Sequence, residues 1–179
     1  MKKHLSLITI LLLCTSGFLF GQASYLKLIE KGKYSEAEKK INKAIIKEPN
    51  DIEHNFTLAI LLFNRNFKGY NAPKSYEYII KSEKLYSNTY DSKEIIRLNK
   101  IPIDQIIQNY TDTICKYALD DAIKKNSVEE YENYLEFYKN TPNNYKISAI
   151  ENRDIAAFII ASAENSVESY QYFISTYPS

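Results

Sequence analysis

Tryptophan is absent from this sequence, methionine occurs once, and cysteine and histidine occur twice each. Those shortages remove most routes to chemistry. Removal of an N-terminal export signal over residues 1–23 would carry away Cys14 and His4, leaving Cys115 and His54. One cysteine forms no intrachain disulfide, and one cysteine with one histidine makes no zinc-ligating cluster, so neither metal nor cofactor is expected. A Cys115/His54 nucleophile pair is the one catalytic arrangement the composition leaves open. Against it, Cys115 sits between Ile114 and Tyr117 in a helical apolar pattern, where thiols pack as small hydrophobes. There is no glycine-rich phosphate loop, no Gly-x-Ser-x-Gly elbow and no His-Glu-x-x-His helix. No enzyme is expected. Excess positive charge is missing too: without Lys2 and Lys3, 21 Lys and Arg face 22 Asp and Glu, a net charge of −1. A phosphate backbone needs a clustered positive field, so nucleic acid is not an expected partner.

What is present begins with the signal. Lys2 and Lys3 form a basic start, Leu5 to Phe20 an apolar run, and Gly21-Gln22-Ala23 a cleavage site with small residues. Residues 1–23 therefore read as a removable export signal, with the mature chain starting at Ser24. An alternative acylates Cys14 as a lipoprotein, although Leu12 and Leu13 precede it and the apolar run continues past it. No later run reaches membrane-spanning length.

Glycine and proline punctuate the rest. Pro49, Pro73, Pro102, Pro142 and Pro178 fall at the edges of periodic segments, and no hairpin pattern appears, so the fold class is all-α with about eight or nine helices after the signal. Expected helices cover 24–31, 35–47 (Ala37, Ile41, Ala44 and Ile45 on one face), 51–65 and 72–86, the last capped by Asn71 with Pro73 in its first turn. A short helix near 91–99 follows. Then Pro102 opens a long one whose stripe is Ile103, Ile106, Ile107, Tyr110, Ile114, Tyr117, Ala118 and Ala122. Another long helix is expected over 145–163, with Ile155, Phe158, Ile159 and Ser162 facing inward. The 16 tyrosines read mainly as core rings with hydroxyls at the rim.

The chain also repeats itself. Asn126-Ser-Val-Glu129, Tyr131, Tyr134, Leu135 and Tyr138 return 39 residues later as Asn165-Ser-Val-Glu168, Tyr170, Phe173, Ile174 and Tyr177. Each unit reads as a long helix, an Asn-Ser cap and a short aromatic helix ending near proline. Ser127 with Glu130 fits a capping box, whereas Ser166 is expected to cap without one, because Ser169 replaces the glutamate. A period of this length marks stacked supersecondary units, here a solenoid of helix pairs.

Gly32-Lys-Tyr34-Ser-Glu-Ala37, Ile41, Ala44 and Pro49 resemble the second half of a tetratricopeptide repeat. Leu58, Ala59 and Leu62, then Ser75, Ile79 and Ser82, resemble the packing positions of a second unit with a longer turn. Residues 118–179 are similar to another helical repeat of exported Bacteroidetes proteins, with a short helix ending in Tyr-Pro. The implied organisation is tetratricopeptide-like repeats over 24–86 and repeats of about 39 residues over 87–179, continuous with the first part. The resemblance implies a non-enzymatic scaffold that holds a protein or peptide partner in the periplasm, at the periplasmic face of the outer membrane, or after secretion. Carried onto the matched second unit, the groove-facing positions are Glu53, Phe56, Ile60 and Phe63; burial of all four inside the fold is the competing expectation. A different reading makes the chain a spacer ahead of a further domain, such as a peptidoglycan-binding module, since Tyr177-Pro178 stands where another unit is expected.

Overall fold

The computed structural model describes residues 23–88 and 103–177, and every regular element in them is helical. Residues 1–22, the helix expected near 91–99, Pro102 and Pro178 lie outside the described residues. The eight helices are α1 (Ala23–Glu30), α2 (Tyr34–Lys47), α3 (Ile52–Leu62), α4 (Ala72–Ser87), α5 (Ile103–Lys125), α6 (Val128–Phe137), α7 (Asn143–Glu164) and α8 (Val167–Thr176). No helix among the described residues is long and apolar enough to cross a membrane. The chain divides into two compact units at Gln108/Asn109, inside α5.

In the first unit, Gly32 makes the α1–α2 turn at φ +71°, a conformation that favours a residue without Cβ. Its amide donates to Ile29 O at 3.0 Å, and Lys33 N donates to Leu28 O at 2.8 Å, closing the end of α1. Ala37 and Ile41 bury the inner face of α2, and Ala44 and Ile45 are half-buried beside them. Helix α3 packs against α1, α2 and α4. Small residues set the closest approach: Ser75 and Ser82 on α4 are fully buried, and their hydroxyls donate to Ala59 O (2.7 Å) and Ile52 O (3.4 Å) of α3. Asn71 caps α4 by accepting from Lys74 N at 2.9 Å, with Pro73 in the first turn.

In the second unit, α7 packs against both short helices, α6 and α8. Tyr145 in the first turn of α7 also reaches α5, donating to Asp112 Oδ2 at 3.3 Å. Tyr131, Tyr134 and Tyr138 are buried, and their polar ends are used: Tyr131 Oη donates to Asn126 Oδ1 (3.0 Å), and Tyr134 Oη shares a hydrogen bond with Thr141 Oγ1 (2.7 Å).

Both Asn-Ser joints are built alike. Asn126 and Asn165 take the left-handed conformation at φ 50° and 49°, which turns the chain out of the long helix, and Ser127 or Ser166 starts the short one. The capping box, however, closes at Ser166 and not at Ser127. Ser169 N donates to Ser166 Oγ at 3.0 Å, and Ser166 N donates back to Ser169 Oγ at 3.3 Å. Ser127 accepts from Glu130 N, but the Glu130 carboxylate is engaged by Lys125 Nζ at 2.8 Å. A short hydroxyl completes the second box, while an available lysine draws the longer carboxylate away from the first.

A second departure concerns α7. The residues expected to face inward, Ile155, Phe158 and Ile159, are half or more exposed, and Ser162 is half-buried. Ala149, Ala156, Ala157 and Ala161 form the buried face instead. Alanine lets α7 lie close to its neighbours, and the large side chains on the other faces then project outward.

Candidate functional site

The four groove candidates lie on or just after α3. Glu53, Phe56 and Ile60 are buried, and Phe63 is half-buried with its ring 6.2 Å from that of Tyr70. Their neighbours on the opposite faces, Leu58, Ala59 and Leu61, are buried as well. A helix enclosed on all sides acts as the spine of its unit, and Phe56 is only 1% exposed.

Cys115 and His54 fall in different compact units, and both are buried. Burial pushes the Cys115 thiol up to about 11; a hydrogen bond with Thr141 offsets part of that rise, and the nearby Asp112 carboxylate adds to it. At neutral pH the group is a packed thiol and not a thiolate, which is the nucleophilic form.

The open surface lies on α7 and α8. Ile155 (59% exposed), Ile159, Ile160, Tyr172 and Ile174 all project from these two helices with half or more of their surface free. Such a concentration is unusual, because single exposed hydrophobes are common but clusters are not. Ile160, Tyr172 and Phe173 belong to a concavity of about 400 Å³ floored by Ala157 and Ala161, with Glu164 and Glu168 at its rim. Phe158 stiffens the pair, its ring standing 5.4 Å from Phe173 in an edge contact and 6.4 Å from Tyr170. At the end of α8, Arg153 lies over the Tyr177 ring at 5.0 Å while bonding Asp154 at 2.7 Å.

The first copy carries polar residues at several of these positions. Shifted back by 39 residues, Ile155, Ile159, Ile160 and Tyr172 correspond to Lys116, Asp120, Asp121 and Asn133. All four are at least partly solvated in the first copy. The second copy keeps the Asn-Ser joint and the aromatic positions, with Phe173 for Tyr134, while its long helix carries exposed isoleucines at three positions that are charged in the first copy and, conversely, Arg153 and Asp154 where the first copy has Ile114 and Cys115. Sequence reasoning missed this face because it assigned Ile155 and Ile159 to the core.

No family model, no curated protein and no solved structure matches the chain.

Proposed function

We propose that this protein is a non-enzymatic, exported helical-repeat scaffold that binds a protein partner through the outer face of α7 and α8. Its helix pairs would stack as a tetratricopeptide-like solenoid, and the basic-then-apolar N-terminus favours placement in the periplasm or at the periplasmic face of the outer membrane. The observation that carries the reading is the set of exposed apolar side chains Ile155, Ile159, Ile160 and Tyr172 on α7 and α8, which stand where the first copy has Lys116, Asp120, Asp121 and Asn133. Leaving those side chains in water is unfavourable by about 25 cal/mol per Å² of apolar surface, so the face gains from a covering partner.

The surface fits an amphipathic helix. An apolar floor of alanine and isoleucine accepts the i, i+3, i+4 anchors of such a helix, and Glu164 and Glu168 at the rim favour Lys or Arg flanking its apolar stripe. A fluorescent peptide with leucines at those positions and lysines beside them provides the test, with a matched peptide flanked by glutamates as control. The lysine peptide should bind more tightly, and the Ile159→Ser/Ile160→Ser variant should lose most of that binding while keeping its melting temperature. Equal binding of both peptides, or no effect of the double variant, contradicts the reading. If the native chain instead dimerises through this face, that will appear as concentration-dependent sedimentation abolished by the same variant.

A further inference from the structure

Three possible metal donors meet at the α2–α3 turn in the first unit. Glu48 directly follows α2, Asp51 caps α3, and His54 lies in the first turn of α3, a Glu-x-x-Asp-x-x-His spacing that crosses the helix junction. His54 Nδ1 stands 3.3 Å from Asp51 Oδ1 and 3.8 Å from Glu48 Oε2, and the three donor atoms all lie within 4.8 Å of one another. A tetrahedral ion with bonds of about 2.0–2.2 Å holds its donors roughly 3.2–3.6 Å apart. The His54–Asp51 contact already has that separation, and Glu48, at 3.8 Å from His54 Nδ1, is exposed and can turn toward the other two.

We propose that Glu48, Asp51 and His54 form a binding site for a divalent transition metal, with Zn²⁺ the best-fitting ion. The donor set favours this class, since imidazole with two carboxylates suits Zn²⁺, whereas Ca²⁺ and Mg²⁺ take all-oxygen shells. The proposal is independent of the α7–α8 binding face.

The turn itself is held in place. Asn55 is fully buried and its Nδ2 donates to Asp51 O (2.6 Å) and Pro49 O (3.0 Å), while Lys81 Nζ reaches from α4 to Pro49 O at 2.6 Å. His54 is buried, which restricts its ring, so the ordering cost of binding falls mainly on the exposed Glu48 side chain. Glu48 and His54 also border a cavity of about 290 Å³ shared with Tyr25, Lys40, Lys43 and Lys47. Three protein donors leave a fourth position, and the lysines around that opening favour an anion there: hydroxide, chloride or a carboxylate. The same lysines weaken attraction for a bare cation, although Lys40 is already paired with Glu36 at 2.9 Å. The expected affinity is therefore micromolar and salt-dependent.

Zn²⁺ titrated into the full chain, followed by calorimetry and thermal unfolding, tests the site; Co²⁺ is the spectroscopic probe. One equivalent should bind and raise the melting temperature by about 5 °C at saturating metal, because an ion bridging α2 and α3 favours the folded form. Co²⁺ should give the intense visible bands of a four-coordinate centre, and the His54 ring proton signals should shift in step with them. Glu48→Gln and Asp51→Asn are the informative variants, since Glu48 is exposed and asparagine preserves the N-cap. Each should fold normally and bind Zn²⁺ at least tenfold more weakly. Absence of binding at millimolar Zn²⁺ overturns the proposal. So does binding that neither variant weakens, which would place the ion elsewhere, for instance at His4.

Discussion

Helices α3 and α7 both carry large apolar side chains, but in opposite surroundings. All but the last residue of α3, from Ile52 to Leu61, are buried, including the polar Glu53, His54, Asn55 and Thr57. In α7 only four alanines are buried, and the larger Ile147, Ile155, Phe158, Ile159 and Ile160 are exposed. Apolar content therefore does not say which side of a helix meets the core. The deciding feature is where the small residues lie. Around α3 they sit on its partner, as Ser75 and Ser82 of α4, so α3 keeps its large side chains inside. On α7 they sit on the helix itself, so its large side chains are turned out.

The largest expected contrast comes from truncating a ring on each helix. Phe56→Ala removes a side chain that is 1% exposed and should cost about 3–5 kcal/mol in urea unfolding. Phe158→Ala removes a half-exposed ring held mainly by Phe173 and Tyr170, and a loss of about 1–2 kcal/mol is expected. Equal losses would mean that the outer face of α7 contributes to the core after all. The two sides of α7 give the next contrast. Ala149→Leu forces three extra carbons into the buried side of α7 and should destabilise by about 1–3 kcal/mol, whereas Ile155→Ala on the outer side should stay within about 0.5 kcal/mol.

The two Asn-Ser joints allow a finer test. Ser166→Ala breaks a reciprocal cap and should cost about 1–2 kcal/mol; Ser127→Ala loses a single 3.3 Å bond and should cost about 0.5–1 kcal/mol. A larger loss at Ser127 would show that Glu130 closes the first box in solution.

The smallest effect is in the alkaline range. Because burial raises the Cys115 thiol to about 11 from an ordinary 9.0, the unfolded chain releases this proton first as pH rises. The contribution of this thiol to stability is thus complete below pH 9 and is lost as pH approaches 11. Tyr110, also raised by burial, adds to the decline above pH 10. Unfolding curves should show Cys115→Ala to be less sensitive to pH than the native chain between pH 9 and 11. A thiol reagent at pH 8 should react slowly with the folded chain and rapidly in denaturant.

Much of the helical layout was legible because proline, glycine and asparagine mark the ends. Gly32 at positive φ, the Asn71 cap, the Ala37/Ile41 face and the buried Ser75/Ile79/Ser82 set all agree with their spacing in the sequence. The orientation of α7 was not legible from periodicity alone, since α7 carries two stripes, alanine and isoleucine, and hydropathy favours the wrong one. The convergence of Glu48, Asp51 and His54 was hidden for another reason: the three residues belong to a helix end, a cap and a first turn, and counting ligand types finds only one histidine there.

The central claim is that the outer face of α7 and α8 is a binding surface, whereas the apolar residues of α3 form a core. Methyl-resolved NMR of isoleucine-labelled protein, titrated with the lysine-flanked amphipathic peptide, measures both at once. The account predicts that signals of Ile155, Ile159 and Ile160 shift saturably while those of Ile52 and Ile60 stay in place. Shifts at Ile52 and Ile60, with Ile159 and Ile160 unmoved, would contradict it and return the binding site to α3.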